Sequence, residues 1–318
     1  MVNTIDITNL MRETGINHHG VITVTEKMSG LEPNPRDDWL YYGLNSLNLT
    51  AQERGTTIRS AAFIGSGNGI ETIAALKLFP NLKNLYVTDI VPEILPQIQK
   101  NIESNFPKGL KRKRVNYSAG RDCIPLEQKV DLIYGNLPLV VVNTNRLNRS
   151  LSTTTLTDAA AYRHLSRGEN DLLRKYSLLS QLGFLISAKE RLNDSGIIIT
   201  LIGGRIPYEA IEECFARAGL EQRLLLTGFK KQSDPQFLKE YSDFEAKEKT
   251  NFVFYDYAKA AGILESVGVK MPDIIAGYSD KQLKKILRPA QINASQAYEL
   301  SKQGKDIGHL AYAFAANL

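Results

Sequence analysis

The residues of this chain whose types and spacing can do chemistry are three alternating glycines, two aspartates and an asparagine. Gly65-Ser66-Gly67-Asn68-Gly69 follows the apolar run Ala61-Ala62-Phe63-Ile64. Glycines so spaced let the backbone turn sharply and approach a ligand with no Cβ in the way. From Ile70 to Phe79, the residues Ile70, Ile73, Ala74 and Leu78 fall near one helical face, and such a helix aims free backbone N–H groups at the turn. Asp89 closes a second apolar run, Leu85 to Thr88. An acid there can accept hydrogen bonds from both hydroxyls of a ribose. Asp122 follows a third run, Val115 to Ser118, inside Gly120-Arg121-Asp122-Cys123. A fourth run, Val130 to Tyr134, leads through Gly135 into Asn136-Leu137-Pro138-Leu139.

The elements that must position these residues alternate strand and helix. Strands are expected at Thr57–Ile64, Leu85–Thr88, Val115–Ser118, Val130–Tyr134 and Ile197–Ile202. Helices are expected at Ile70–Phe79, from Pro92 to about Asn105, over Leu172–Leu192 and over Pro207–Ala218, the last stopped by Gly219. Arg223–Thr227 and Phe252–Tyr257 read as a closing pair of strands. This alternation is the signature of an α/β fold, a mostly parallel sheet with helices on both faces. Ligands in such sheets bind outside the carboxyl ends of the strands, where the glycine turn, Asp89, Asp122 and Asn136 all fall. The pattern Gly-x-Gly-x-Gly departs from the dinucleotide fingerprint Gly-x-Gly-x-x-Gly, which argues against NAD.

In order and spacing, Gly65-Ser-Gly-Asn-Gly, Asp89, Asp122 and Asn136-Leu-Pro-Leu resemble the motifs of class I S-adenosylmethionine-dependent methyltransferases. The resemblance covers about residues 30–257 and implies a Rossmann-like fold with S-adenosylmethionine as cofactor. Asn136-Leu137-Pro138-Leu139 looks like the Asn-Pro-Pro-Tyr motif of amino-methyltransferases, the type that modifies glutamine in release factors. The related Asn-Leu-Pro-Tyr belongs to rRNA adenine dimethyltransferases. By this resemblance Gly65, Ser66, Gly67, Asn68, Gly69, Asp89, Ile90, Arg121, Asp122 and Asn136 hold the cofactor, and Asn136, Leu137 and Pro138 carry catalysis. Asp122 resembles the acid that accepts a bond from the adenine amino group. Two positions depart from the pattern. Phe63 stands where an acid is frequent, and Leu139 stands where an aromatic ring stacks on a planar substrate.

Composition narrows the class. Hydrophobic content of 43% and charged content of 23% are those of a globular protein. No run approaches the length of a membrane span, and Met1-Val-Asn-Thr-Ile-Asp lacks the basic and apolar regions of a secretory signal. Two cysteines, Cys123 and Cys214, make neither a disulfide framework nor a metal cluster, so no metal is expected and a reducing cytoplasm is the simpler location. Net charge is +5. The densest basic run, Lys108 to Arg114, reads as a solvated loop, with no interleaved aromatics to stack on bases.

The chain divides into residues 1–50, 51–258 and 259–318. In the first part Val21–Thr25 reads as a strand, Leu31-Glu-Pro-Asn-Pro-Arg as a loop, and Trp39–Leu47 as a helix capped by Asp37 or Asp38. By the same resemblance Trp39 and Tyr42, with Leu139, line the substrate side. The middle part is the cofactor-binding domain, with a long polar stretch, 143–170, beside the expected site. The last part reads as a helical extension over Gly262–Val267, Ser279–Leu287, Ala294–Lys302 and Ile307–Ala316. The function expected is methyl transfer to a nitrogen of a small molecule or protein side chain. Alternatives are adenine-N6 methylation of RNA or DNA, and a cofactor-binding interaction module without catalysis. Nothing in the sequence fixes the oligomeric state.

Overall fold

The apolar runs around the glycine turn form strands because each is covered on both sides. In β3 (Ser60–Ile64) Ala61 and Phe63 join one core while Ala62 and Ile64 join the other, the period-two alternation of a strand. β3 pairs in parallel with β4 (Asn84–Asp89) on one side and with β6 (Val130–Gly135) on the other. β5 (Arg114–Ala119) continues the sheet beyond β4, and β7 (Leu192–Gly203) continues it beyond β6. The computed structural model describes residues 3–107, 110, 113–138, 159–232, 235–270 and 274–318.

One face is covered by α2 (Trp39–Arg54), α3 (Ile70–Leu78) and α4 (Leu95–Asn105), through residues such as Leu44, Ile73 and Ile98. The other is covered by α6 (Leu179–Arg191) and α7 (Tyr208–Ala218), through Phe184, Leu185, Ile211 and Phe215. This is the expected α/β architecture. Ahead of it lie β1 (Asn3–Asp6), α1 (Thr8–Glu13) and β2 (Val21–Val24), with β1 and β2 paired antiparallel.

The far side of the sheet differs from expectation in three places. First, Ile307–Ala316 is not a helix: it is β12 (Ile307–Asn317), a strand inside the sheet. β12 runs antiparallel between β7 and β8 (Glu221–Lys231). Its alanines suggested a helix, but its side chains alternate. Leu310, Tyr312 and Phe314 fill one core, while Ala311, Ala313 and Ala315 face the other. A strand buried on both faces reads as a continuous apolar run, which composition alone cannot tell from a helix.

Second, the partner that closes β8 is β12 and not Phe252–Tyr257. The latter contributes only the short β9 (Phe254–Asp256), which pairs with the start of β12 and with β11 (Gln291–Ile292). Third, Leu172–Leu192 is two helices, α5 (Leu172–Lys175) and α6, broken where Ser177 takes a φ of 59°. Leu192 already begins β7.

Between β8 and β12 the chain leaves the sheet and forms α8 (Pro235–Glu248), α9 (Tyr257–Ser266), α10 (Asp280–Leu287) and α11 (Ala294–Lys302). α10 and α11 each open with a capping box, on Ser279 with Gln282 and on Asn293 with Gln296. Within this segment β10 (Ile274–Ile275) pairs with the outer edge of β8. The strands run in the order β10-β8-β12-β7-β6-β3-β4-β5. Among the described residues no helix is long and apolar enough to cross a membrane.

Candidate active site

The glycine turn joins β3 to α3 at the centre of the sheet. Gly65 has a φ of +64°, and a Cβ added there would lie 2.8 Å from Cδ2 of Leu137. Only glycine combines that left-handed backbone with that close approach, so Leu137 packs directly on the turn. The turn is tied to β4 at two points. Ser66 N donates to the Thr88 carbonyl at 2.9 Å, and Gly67 N donates to Asp89 Oδ2 at 3.0 Å. Ser66 Oγ donates to the Phe63 carbonyl at 2.8 Å. Asn68 Oδ1 accepts from Ile70 N at 3.2 Å at the start of α3. Gly69, with a φ of 86°, is the N-cap residue of α3.

Asp89 sits at the end of β4. Its Oδ1 accepts from Val91 N at 3.0 Å, so both oxygens already hold backbone amides. Each oxygen keeps further acceptor capacity. Burial pushes this carboxyl above its ordinary range, against the lowering effect of those amides. Ile90 beside it is exposed.

Asp122 follows β5 with a φ of 53°, unusual for a residue other than glycine. Its two oxygens lie 2.8 and 3.0 Å from the hydroxyl of Tyr162, which donates to them. Tyr162 comes from the short 3-10 helix Ala159–Leu165, inside the stretch read as a polar loop, and Arg121 lies over its ring at 5.3 Å. Burial raises the Asp122 carboxyl too.

Asn136 follows β6, half-buried, with Leu137 and Pro138. Its side chain is hydrogen-bonded to Glu71, a buried acid in the first turn of α3. The Tyr134 hydroxyl donates to Glu71 Oε1 at 3.3 Å. Burial is the main cause that lifts the Glu71 carboxyl from its ordinary 4.5 to about 7, with Asp38 adding to it and the Tyr134 and Asn136 bonds opposing it. The α2 helix reaches this group because Gly43 has no side chain: a Cβ there would stand 2.1 Å from the Tyr134 hydroxyl. Asp38 caps α2, as one of the two expected aspartates, by accepting from Leu40 N at 2.9 Å.

Glu71 carries a stability prediction. The folded chain holds its proton up to about pH 7, whereas the unfolded chain releases it near 4.5. Between those values the folded state binds more protons, so stability falls as pH rises, by about 3 kcal/mol at ~1.4 kcal/mol per pH unit. Urea unfolding at pH 5 and pH 8 should therefore show the wild type losing about 2.5 kcal/mol more than Glu71→Gln over that interval. Equal losses would mean that Glu71 titrates normally.

Of the residues expected on the substrate side, Trp39 lies with its ring 5.6 Å from that of His309 and 5.4 Å from Nζ of Lys230. Tyr42 is buried, its hydroxyl 3.0 Å from the Arg36 carbonyl and 3.4 Å from that of Phe229. Leu139 and residues 143–158 of the long polar stretch lie outside the described residues. So do residues 108, 109, 111 and 112 of the basic run, where Lys113 donates to the Leu82 carbonyl at 2.6 Å.

The fold thus brings the glycine turn, Asp89, Asp122 and Asn136 to the carboxyl ends of four adjacent strands. Glu71, Tyr162, Lys230, His309 and Arg205 were not signalled by the sequence. Glu71 stands as a lone acid in an apolar helix and His309 as a lone imidazole in an apolar run, which is the trace they leave. Cys123 and Cys214 are free and buried, and burial raises both thiols. Among the described residues no group of three metal-ligating side chains occurs.

No protein-family model matches the chain. No curated protein matches it either. Solved structures do. The ribosomal protein L11 methylase of Lactobacillus delbrueckii subsp. bulgaricus is 17% identical with a TM-score of 0.38, over 61% of this chain and 74% of that one. The YcgJ protein of Bacillus subtilis is 10% identical with a TM-score of 0.41, over 85% and 97%. A TehB-like SAM-dependent methyltransferase of Corynebacterium glutamicum is 13% identical with a TM-score of 0.35, over 56% and 73%.

Proposed function

We propose that the protein is an S-adenosylmethionine-dependent N-methyltransferase that acts on an amine or amide nitrogen of a small molecule or protein side chain. The observation that carries this reading is the convergence of Gly65–Gly69, Asp89, Asp122 and Asn136 at the ends of β3, β4, β5 and β6. The site fits the cofactor on its own chemistry. Asp89 and Asp122 are buried carboxyls that burial raises, and neither oxygen set is filled. Such acids suit neutral O–H and N–H donors, the ribose hydroxyls at Asp89 and the adenine amino group at Asp122. At Asp122 the incoming amino group shares the carboxylate with Tyr162 or displaces it.

When bound, S-adenosylmethionine supplies a methyl group on a sulfonium sulfur. The chain's own part is alignment. Asn136 Oδ1 and the Leu137 carbonyl accept the N–H bonds of the acceptor nitrogen, which aims its lone pair and stabilises the positive charge that develops there. Pro138 fixes the turn that presents both acceptors. Glu71 bonds the Asn136 side chain from behind. An ionised Glu71 accepts from the Asn136 NH₂ and leaves Oδ1 for the substrate. The two free, buried thiols suit a reducing cytoplasm.

The test is calorimetric titration with S-adenosylhomocysteine, with NAD as the control. Saturable binding of the first and not of the second is the expected result. Binding of neither would leave Gly65 to Asp89 as a packing turn and remove the enzymatic reading.

A further inference from the structure

Two cations are buried at the substrate side of the sheet without a carboxylate in ion-pair contact among the described residues. Lys230 is 5% exposed, and its ammonium donates to the Lys231 carbonyl at 2.8 Å. Arg205, also 5% exposed, donates to Gln232 Oε1 at 2.7 Å and lies 4.8 Å from the centre of the Tyr241 ring. The acids nearest Lys230 are engaged elsewhere. Asp38 accepts from Leu40 N and Glu32 N, and Asp37 accepts from Lys231 N and Asn34 Nδ2. Asp38, Asp37 and Glu32 act on Lys230 only as more distant charges. Buried charges with no carboxylate beside them are costly, so among the described residues an anion is the missing counterpart.

A third group refines what the anion must carry. His309 is fully buried and stands directly opposite Lys230 in the β12–β8 register. Its Nδ1 lies 2.8 Å from the Leu310 carbonyl, so Nδ1 bears the proton and donates. Its Nε2 is buried with no hydrogen-bond partner. A bare imidazole nitrogen accepts a hydrogen bond and does not bind an anion. The ligand must therefore place an N–H or O–H donor beside its negative group. Trp39 offers a ring to both Lys230 and His309.

We infer that Lys230, Arg205, His309 and Trp39 form the acceptor subsite of the enzyme, and that the acceptor is an α-amino or α-hydroxy acid whose remaining part carries the amine or amide nitrogen to be methylated. Its carboxylate meets Lys230 and Arg205, and the N–H or O–H on the adjacent carbon meets His309 Nε2. This deepens the methyltransferase reading and rests on it for the word acceptor. The binding site itself stands without it.

Trp39 is the only tryptophan in the sequence, so its fluorescence reports on this subsite alone. The full chain, with and without saturating S-adenosylhomocysteine, is titrated with the common non-aromatic α-amino acids, their α-hydroxy analogues and the matching amides. The expected result is saturable quenching by at least one acid, with its amide about tenfold or more weaker. Lys230→Met should remove that preference. Should the variant not fold, the pH dependence of the wild type replaces it. Burial lowers the Lys230 ammonium to about 8, so affinity for an α-hydroxy acid should fall on going from pH 7 to pH 9. Equal binding of acid and amide, an affinity that does not fall with pH, or no quenching by any member of the series would overturn the inference. Acids that bind to a protein which does not bind S-adenosylhomocysteine would keep the subsite and remove the methyltransferase reading.

Discussion

Removing residues 307–318 will leave the chain unable to fold. β12 is a central strand, paired on both sides with β7 and β8, and its loss opens the sheet along both ladders. Leu310, Tyr312 and Phe314 are fully buried in one core. Each such side chain contributes about 1.5–3 kcal/mol by burial. Together with the lost ladders this consumes most or all of the ~5–15 kcal/mol by which a domain is stable. The two bared strand edges would also be ready to pair with another molecule. The truncated chain should be insoluble, or should lack a cooperative transition in thermal unfolding. A soluble truncated protein with a sharp transition would mean that β12 is dispensable. A milder probe is Ala313→Leu, which puts bulk on the small-residue face and should cost about 1–3 kcal/mol in urea unfolding.

Asp89→Ala should strongly weaken binding of S-adenosylhomocysteine while circular dichroism stays unchanged. Two hydroxyls donated to a carboxylate are worth about 1.5–3 kcal/mol each, so the loss should reach about a hundredfold or more. Asp89 also holds the Gly67 amide, and the substitution could act through the turn instead. The 2′-deoxy analogue of the ligand separates the two routes. If Asp89 binds the ribose, removing the hydroxyl costs the wild type affinity and costs the Ala variant almost none. If Asp89 acts only by clamping the turn, the two losses add. Unchanged affinity in the variant would sink the ribose assignment altogether.

The parallel half of the fold was legible because each of its strands carries a local mark. Gly65-x-Gly-x-Gly, Asp89, Gly120-Arg-Asp and Asn136-Leu-Pro announce the ends of β3, β4, β5 and β6 in one stretch of chain. β12 carries no such mark. Its alanine-rich run has the composition of a helix, and only pairing with β7, far away in sequence, makes it a strand. α8 went unread because its apolar positions, Leu238 and Tyr241 among them, are sparse between charges. The buried polar groups were hidden for the same reason as β12. Glu71 and Asn136 are far apart in sequence and meet because β6 lies beside β3. Lys230 and His309 meet only once β12 has paired with β8. Sequence spacing reports on neighbours along the chain, and this half of the site is built from neighbours across it.

The helical segment between β8 and β12 leaves from one strand and returns on the next. Lys231 and Gly308 are register partners, so its two ends are pinned one strand spacing apart. Closing a longer or shorter excursion between pinned ends changes the chain entropy only slowly with length. The length of this segment is therefore set by what it packs, with Leu238, Tyr241, Leu264 and Leu283 buried in the core it shares with the sheet, and hardly at all by the closure of its ends.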